Sequence, residues 1–348
     1  ISAVRMLVES LKHYASSLSF GGEFSKESIF RHILMRVPNN RFYTDAYSLM
    51  RCIDRLIPVL TLFLPKSVYM IPSACFLENS VVSLARGLGI PIITSVCASI
   101  DERYRNLGHY PTDIITVINE EQKKAFLARG YDERCILCCG DVAMDETLEW
   151  MDENVTKYLI DFNLDAERGF ALVATSGLDL TEEVWIGVAA AVCRQLGFKL
   201  VVKVHPSIAE ERYFKLSKLQ VLVTKEAELI PLVRGARVVI TDVSHAGMYA
   251  IYLRKPLLTV NLTGKPYPYN RFDEQGAALL ARSLEELRSL LKKLLVDEEA
   301  RERLLSSVQK IMPRLLFKND GKAAERVLNL LLKPPNGALL RSPPASRL

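Results

Sequence analysis

The sequence predicts an α/β protein of two lobes, each a parallel sheet wrapped by helices. Short β-branched runs alternate with helical stretches from about Ser67 onward, the pattern of strand–helix–strand units. Glycines stand where helices should stop, at Gly87, Gly89 and Gly130, as suits the left-handed residue that closes a helix. The alternation breaks over an acidic stretch and then restarts.

In the first half, strands are predicted over 68–72, 91–96, 113–118 and 135–139, with helices over 78–88 and 120–129 between them. Residues before Ser67 read as largely helical, and 1–145 form the first, Rossmann-like lobe. Asp145, Glu146, Glu149, Asp152 and Glu153 mark 146–168 as a helical, acidic linker. In the second lobe, 169–332, strands are predicted over 171–175, 200–204, 221–223, 238–241 and 257–261. Helices are predicted over 181–196, 209–216, 227–233, 246–253, 283–295, 297–312 and 321–332. The Pro-rich, basic tail 333–348 reads as disordered.

With 348 residues, 49% hydrophobic and 24% charged, the chain can bury two cores. A net charge of +5 fits an anionic small ligand or a membrane surface. Nucleic acid is not expected as a partner, because no Lys/Arg stripe with interleaved aromatics is present. Seven cysteines in mostly apolar surroundings read as reduced, buried thiols of a cytoplasmic protein. Cys135 and Cys138 have CxxC spacing, but the apolar residues between them read as strand core and no second pair exists. No metal site is therefore expected.

No apolar run reaches the roughly 18 residues of a membrane span. The run 56–64 carries Pro58 and reads as core, with a monotopic patch, and so peripheral contact at the inner membrane face, as the alternative. There is neither an initiator Met nor a signal peptide, and the chain opens on helical material. This leaves open whether the first lobe is complete.

Functional residues of open parallel sheets gather beyond the carboxyl ends of strands. Three such ends stand out: Thr175-Ser176-Gly177, then Lys203-Val204-His205-Pro206-Ser207, then Thr241-Asp242-Val243-Ser244-His245-Ala246-Gly247. Thr181 is placed to cap the helix after the first. After the third, Ser244 can cap, while Ala246 and Gly247 leave first-turn amides uncovered for a phosphate. An ordinary capped helix is the competing reading. His205 precedes Pro206, which restricts its backbone, and a histidine can donate to a phosphate or move a proton. A structural hydrogen bond is its competing role.

These residues, with Arg254-Lys255-Pro256-Leu257-Leu258-Thr259-Val260-Asn261 and the late run Asn319–Val327, resemble the second lobe of a GT-B superfamily of surface and capsular polysaccharide enzymes. That group includes glycosyltransferases, CDP-glycerol glycerophosphotransferases, polysialyltransferases and UDP-N-acetylglucosamine 2-epimerases. The resemblance spans about 68–332 and is strongest over 200–261. It implies a GT-B-like fold whose second lobe binds the nucleotide donor and whose first faces the acceptor. It implies that His205 and Ser244 contact the donor phosphates, among Ser176, Gly177, Ser207, Asp242, Ala246 and Gly247. His245 stands where relatives carry Ser or Gly, so phosphate binding, sugar contact and packing all stay open for it. Glu274 would bind a ribose or sugar hydroxyl.

The first lobe of such enzymes opens with a strand and a glycine-rich turn, which this sequence lacks; Gly21-Gly22 is its only early glycine pair. His109, with Asp101 and Glu102, is a candidate general base, against a reading as solvated loop. The implied activity is sugar transfer from a nucleotide-sugar donor, with no cofactor, to a saccharide or lipid-linked acceptor. Transfer from CDP-glycerol or CMP-sialic acid at the same phosphate site is the nearest rival chemistry. A non-catalytic nucleotide- or glycan-binding subunit is the rival from another class.

Overall fold

The strand runs pair in parallel and build two separate sheets. A computed structural model of the chain describes residues 55–71, 76–96, 112–128, 130–177, 179, 181–219, 221–242, 244–264, 272–318 and 320–334. Asp101, Glu102, His109, the helical expectation for 1–54 and nearly all of the tail lie outside these residues.

The first sheet has the order β1 (Val68–Met70), β2 (Ile92–Ser95), β3 (Ile114–Val117) and β4 (Ile136–Cys138). Helix α1 (Phe76–Gly87) links the first pair and α2 (Glu120–Leu127) the last. All residues of β2 and β3 are buried, as expected for strands covered on both faces. Asn119 caps α2 by accepting from the Gln122 amide at 2.8 Å. In the run 56–64, Leu60 is buried but Val59, Leu62, Phe63 and Leu64 are exposed. The core reading therefore holds for only one face of this helical segment.

A short helix α3 (Val142–Asp145) follows β4, and α4 (Asp152–Asp161) then occupies the stretch expected to be a linker. Its Val155 and Leu159, with Leu164 beyond, join the second lobe's core. The acidic composition had hidden an apolar face.

The second sheet has the order β10-β9-β8-β5-β6-β7, all parallel. Its strands are β5 (Phe170–Ala174), β6 (Leu200–Lys203), β7 (Leu222–Thr224), β8 (Ala236–Thr241), β9 (Leu257–Val260) and β10 (Leu279–Ala281). The helices are α5 (Glu182–Leu196), α6 (Phe214–Ser217), α7 (Leu229–Gly235), α8 (Ala246–Tyr252), α9 (Leu284–Val296), α10 (Glu298–Leu315) and α11 (Ala323–Leu332). This is the doubly wound order, with its reversal between β5 and β8. Edge strand β10 was not foreseen, because Ala277-Ala278-Leu279-Leu280-Ala281 carries no β-branched residue.

The last helices return to the first lobe. The Asp145 carboxylate accepts from the Ala323 and Ala324 amides at 3.1 and 2.7 Å, at the start of α11. Arg326 Nε donates to the Cys139 carbonyl at 2.8 Å, and Asn119 Nδ2 to that of Leu315 at 2.8 Å. Ser67 Oγ donates to the Leu331 carbonyl at 2.8 Å.

Gly140 lies at the centre of this seam with φ +87°, and an added Cβ would stand 3.1 Å from the Phe317 carbonyl oxygen. Gly130, at φ +85°, has open space where its Cβ would be. Gly130→Ala is expected to lower stability by about 1–2 kcal/mol through backbone strain alone. Gly140→Ala should cost more, because packing adds to the strain. Urea denaturation of the two variants beside the parent chain measures the difference.

Candidate functional site

Open α/β sheets bind ligands beyond the carboxyl ends of strands where the strand order reverses. Here that point falls between β5 and β8, and the three sequence segments singled out leave β5, β6 and β8 there. Ser176 Oγ donates to Asp242 Oδ2 directly across the reversal. The Thr175 hydroxyl accepts from the His205 amide at 3.0 Å, which ties the β6 end to the β5 end.

His205 is exposed, and its Nδ1 lies 2.7 Å from Ser207 Oγ and 3.2 Å from the Ser207 amide nitrogen. With Nδ1 accepting from that amide, the ring presents Nε2 to the crevice as the proton-bearing atom. Pro206 shortens the loop, so the ring is held at the sheet edge by its own Ser207.

The first strand end is organised differently from the expectation. Ser176 and Gly177 are in place, but both amides donate to the buried Glu182 carboxylate, at 2.9 and 3.1 Å. Tyr213 donates its hydroxyl to the same carboxylate, and Arg212 lies 3.9 Å from it. Arg212 also donates to the Gly177 and Asp179 carbonyls at 3.3 and 3.0 Å. Burial first, then the bond to Glu182, holds the Tyr213 hydroxyl well above its ordinary pKa. The amides a phosphate would use are thus already filled by a carboxylate from the chain itself. Thr181 does not cap α5, since its hydroxyl donates to Asp179 at 2.7 Å. Gly177 has φ +71°, and an added Cβ would stand 2.3 Å from Ile208.

At the third strand end the helix starts after His245 without a side-chain cap, although Ser244 Oγ accepts from the Ala246 amide at 3.3 Å. The Gly247 amide donates to the Ser244 carbonyl at 3.1 Å. The first-turn amides of Ala246 and Gly247 are therefore occupied, not uncovered. Gly247 is small for another reason: an added Cβ would lie 2.4 Å from the buried Phe272 ring. That contact pins the turn after Phe272 to the start of α8 and brings exposed Glu274 to this side of the lobe.

His245 turns toward the first lobe, its Nε2 3.5 Å from Asp141 Oδ2. Asp141 is buried and caps α3 through its other oxygen, at 3.1 Å from the Ala143 amide. Neither Asp141 Oδ2 nor the buried His245 Nδ1 has a hydrogen-bond partner among the described residues. The Tyr249 ring packs edge-on against His245, and its hydroxyl is pushed up to about 12 by burial, with Asp141 and Glu146 adding to the effect. His245 thus bridges the two lobes, and its packing role is the one the geometry displays.

Elsewhere, burial and a hydrogen bond to Glu120 push the Cys138 thiol up to about 12. Such a thiol is a poor metal ligand at neutral pH. Among the described residues no three His, Cys, Asp or Glu side chains are grouped to hold a metal ion. Glu182, Arg212, Tyr213 and Asp141 escaped sequence reading. A first-turn glutamate is ordinary in a helix, and its partner Tyr213 comes 31 residues later.

A family model described as CDP-Glycerol:Poly(glycerophosphate) glycerophosphotransferase matches residues 189–333. No curated protein matches the chain. Among solved structures, a putative UDP-N-acetylglucosamine 2-epimerase from Listeria monocytogenes is similar at TM-score 0.63 and 14% identity, covering 81% of this chain and 78% of its own. The UDP-GlcNAc 2-epimerase from Neisseria meningitidis, bound to UDP-GlcNAc, is similar at TM-score 0.60 and 15% identity, over 82% and 80%. The wall teichoic acid polymerase TagF is similar at TM-score 0.55 and 15% identity, over 70% and 68%. The fold is GT-B-like, with Rossmann-type lobes. The family match covers less than half of the chain, and the structural likenesses, at these identities, show the fold alone.

Replacing Glu182 by Ala should strand two amides and the Tyr213 hydroxyl, lowering stability by about 3 kcal/mol or more. Glu182→Gln keeps an acceptor oxygen and should lose less. Denaturant unfolding of both variants checks the ordering.

Proposed function

We propose that the crevice at the β5–β8 reversal binds a nucleotide-activated donor and passes the activated group to a hydroxyl of a surface-glycan acceptor. The observation that carries this is a coincidence of two kinds. The family match over 189–333 takes in the ends of β6 and β8, where the fold alone places a ligand. Because that family is described by CDP-glycerol, a cytidine-activated glycerol phosphate is the leading donor. A nucleotide sugar is the second reading, favoured by the epimerase-like fold.

In this reading the donor phosphates lie against His205, Ser207 and Ser244. His205 Nε2 donates to a phosphate oxygen, and the Ser207 and Ser244 hydroxyls supply neutral donors. Ser176 and Asp242 shape the floor rather than bind phosphate directly. Their mutual hydrogen bond fixes the spacing of β5 and β8. Glu274 takes a ribose or sugar hydroxyl. With CDP-glycerol, the acceptor oxygen bonds to the glycerol-bearing phosphorus, the bond to CMP breaks, and the hydroxyl proton passes to a base of the first lobe. His109 is that base in our proposal. Charge on the departing phosphate is met by donors already in place, which lowers the barrier without reorganisation. The reading invokes no cofactor. The acceptor is a saccharide or a lipid-linked polyol, which places the reaction at the inner face of a membrane. No helix among the described residues is long and apolar enough to cross one.

Calorimetric titration with CDP, CMP, UDP and GDP tests the donor site. Selective binding of a cytidine nucleotide, weakened about tenfold in His205→Ala, is the expected outcome. Preference for UDP would move the assignment to a nucleotide sugar. A chain that binds none of the four is not a donor-dependent transferase.

A further inference from the structure

The second lobe carries a pocket at the end of its sheet opposite the crevice. Its volume is about 470 Å³. Gly235, on its wall, immediately precedes β8, and Lys255 stands two residues before β9, whereas Asp242 follows β8. Six residues of β8 separate the two places, roughly 20 Å at the usual rise per residue. No residue of the crevice contributes to it.

The pocket has an apolar floor, with Leu148, Val155 and Leu159, and a cationic rim of Arg234, Arg254 and Lys255. Against these three cations stands one carboxylate, Asp152, whose side chain is 97% exposed. Arg234 Nη1 reaches Asp152 at 3.1 Å and Nη2 donates to the Thr147 carbonyl at 3.0 Å. Its Nε is buried with no partner. Arg254 donates to Gln309 at 2.7 Å and sits at φ +54°, in the left-handed region that non-glycine residues seldom adopt. The Lys255 ammonium has neither a hydrogen bond nor an ion pair among the described residues. Burial, and then the Arg234 charge, hold its pKa below the usual lysine range.

A partly desolvated ammonium beside a guanidinium carries mutual repulsion that burial strengthens. A bound anion reverses that, supplying acceptors to both groups at once. We propose that this pocket is a second ligand site, which takes a phosphate-bearing group through the cations on its wall, Lys255 foremost. The phosphate would point at the rim, and a small or apolar remainder would lie on the leucine and valine floor. A soluble phosphate ester and a lipid phosphate headgroup share this chemistry.

The test uses the full chain with inorganic phosphate and glycerol 3-phosphate as soluble probes. Vesicles of phosphatidylcholine with and without phosphatidic acid form the second arm. The read-outs are calorimetry, thermal melting and vesicle flotation, on the parent chain, Lys255→Gln and Lys255→Met. Phosphate should raise the parent's melting temperature, and both variants should lose that rise together with about tenfold in affinity. Both variants should melt no lower than the parent in phosphate-free buffer, because a like-charge contact is relieved. Binding only to phosphatidic acid vesicles, lost in the variants, would support the site and assign it to a headgroup. Equal phosphate binding by parent and variants, no saturable response to any probe, or lower melting of both variants without phosphate would overturn it. Nucleotide titration of the same variants reads the crevice separately, so failure of either assignment is visible alone.

Discussion

The segment from the end of β4 through α3 is the constraint on which the crevice depends. Within seven residues it gives the Cys139 carbonyl to Arg326, Asp141 to His245, and Asp145 to the first amides of α11. Each partner belongs to the second lobe or to the helices that return from it. A helix start has orphan amides that must be satisfied, and a carboxylate there also meets the favourable end of the dipole. Asp145 answers both needs from the other lobe, so α11 can form fully only when the lobes are docked. Gly140 makes the close approach feasible, having no Cβ to strike the Phe317 carbonyl.

Much of this was legible in the sequence, and for identifiable reasons. Central strands of the second sheet are buried on both faces, so β8 appears as the unbroken β-branched run Val238-Val239-Ile240. Of the glycines expected to close helices, Gly89 and Gly130 are left-handed, whereas Gly87 is the last residue of α1 itself. The positions of His205, Asp242 and Ser244 followed from strand ends alone. What stayed hidden was anything that depends on pairing distant residues. Glu182 looks like an ordinary first-turn acid until Tyr213 and Arg212 fold onto it. Residues 152–161 looked like linker because charged residues stand at both ends and between the apolar ones.

The buried glutamate also refines how such a crevice is built. A glycine turn at a strand end normally offers its amides to a phosphate. Here Glu182 neutralises that offer internally and makes the turn rigid instead. In the proposed reading, anion recognition falls to the neighbouring ends, where the His205 and Ser207 side chains are exposed. The division of labour is between a floor set by Ser176, Asp242 and Glu182 and donors set by the β6 and β8 loops. A donor's phosphates would then be met chiefly by side chains and less by backbone.

Helix α8 gives the two ends of the second lobe a common mechanical part. Its first turn is fixed by the Phe272 ring on Gly247 and by His245 against the first lobe. Its last turn closes with the Arg254 amide on the Ile251 carbonyl at 3.1 Å and the Lys255 amide on that of Ala250 at 2.8 Å. The helix is seven residues long, roughly 10 Å, and its body is buried in the core. So short and packed a rod moves as one piece. An anion that draws Lys255 and Arg234 together at one end would therefore bear on the placement of His245 at the other.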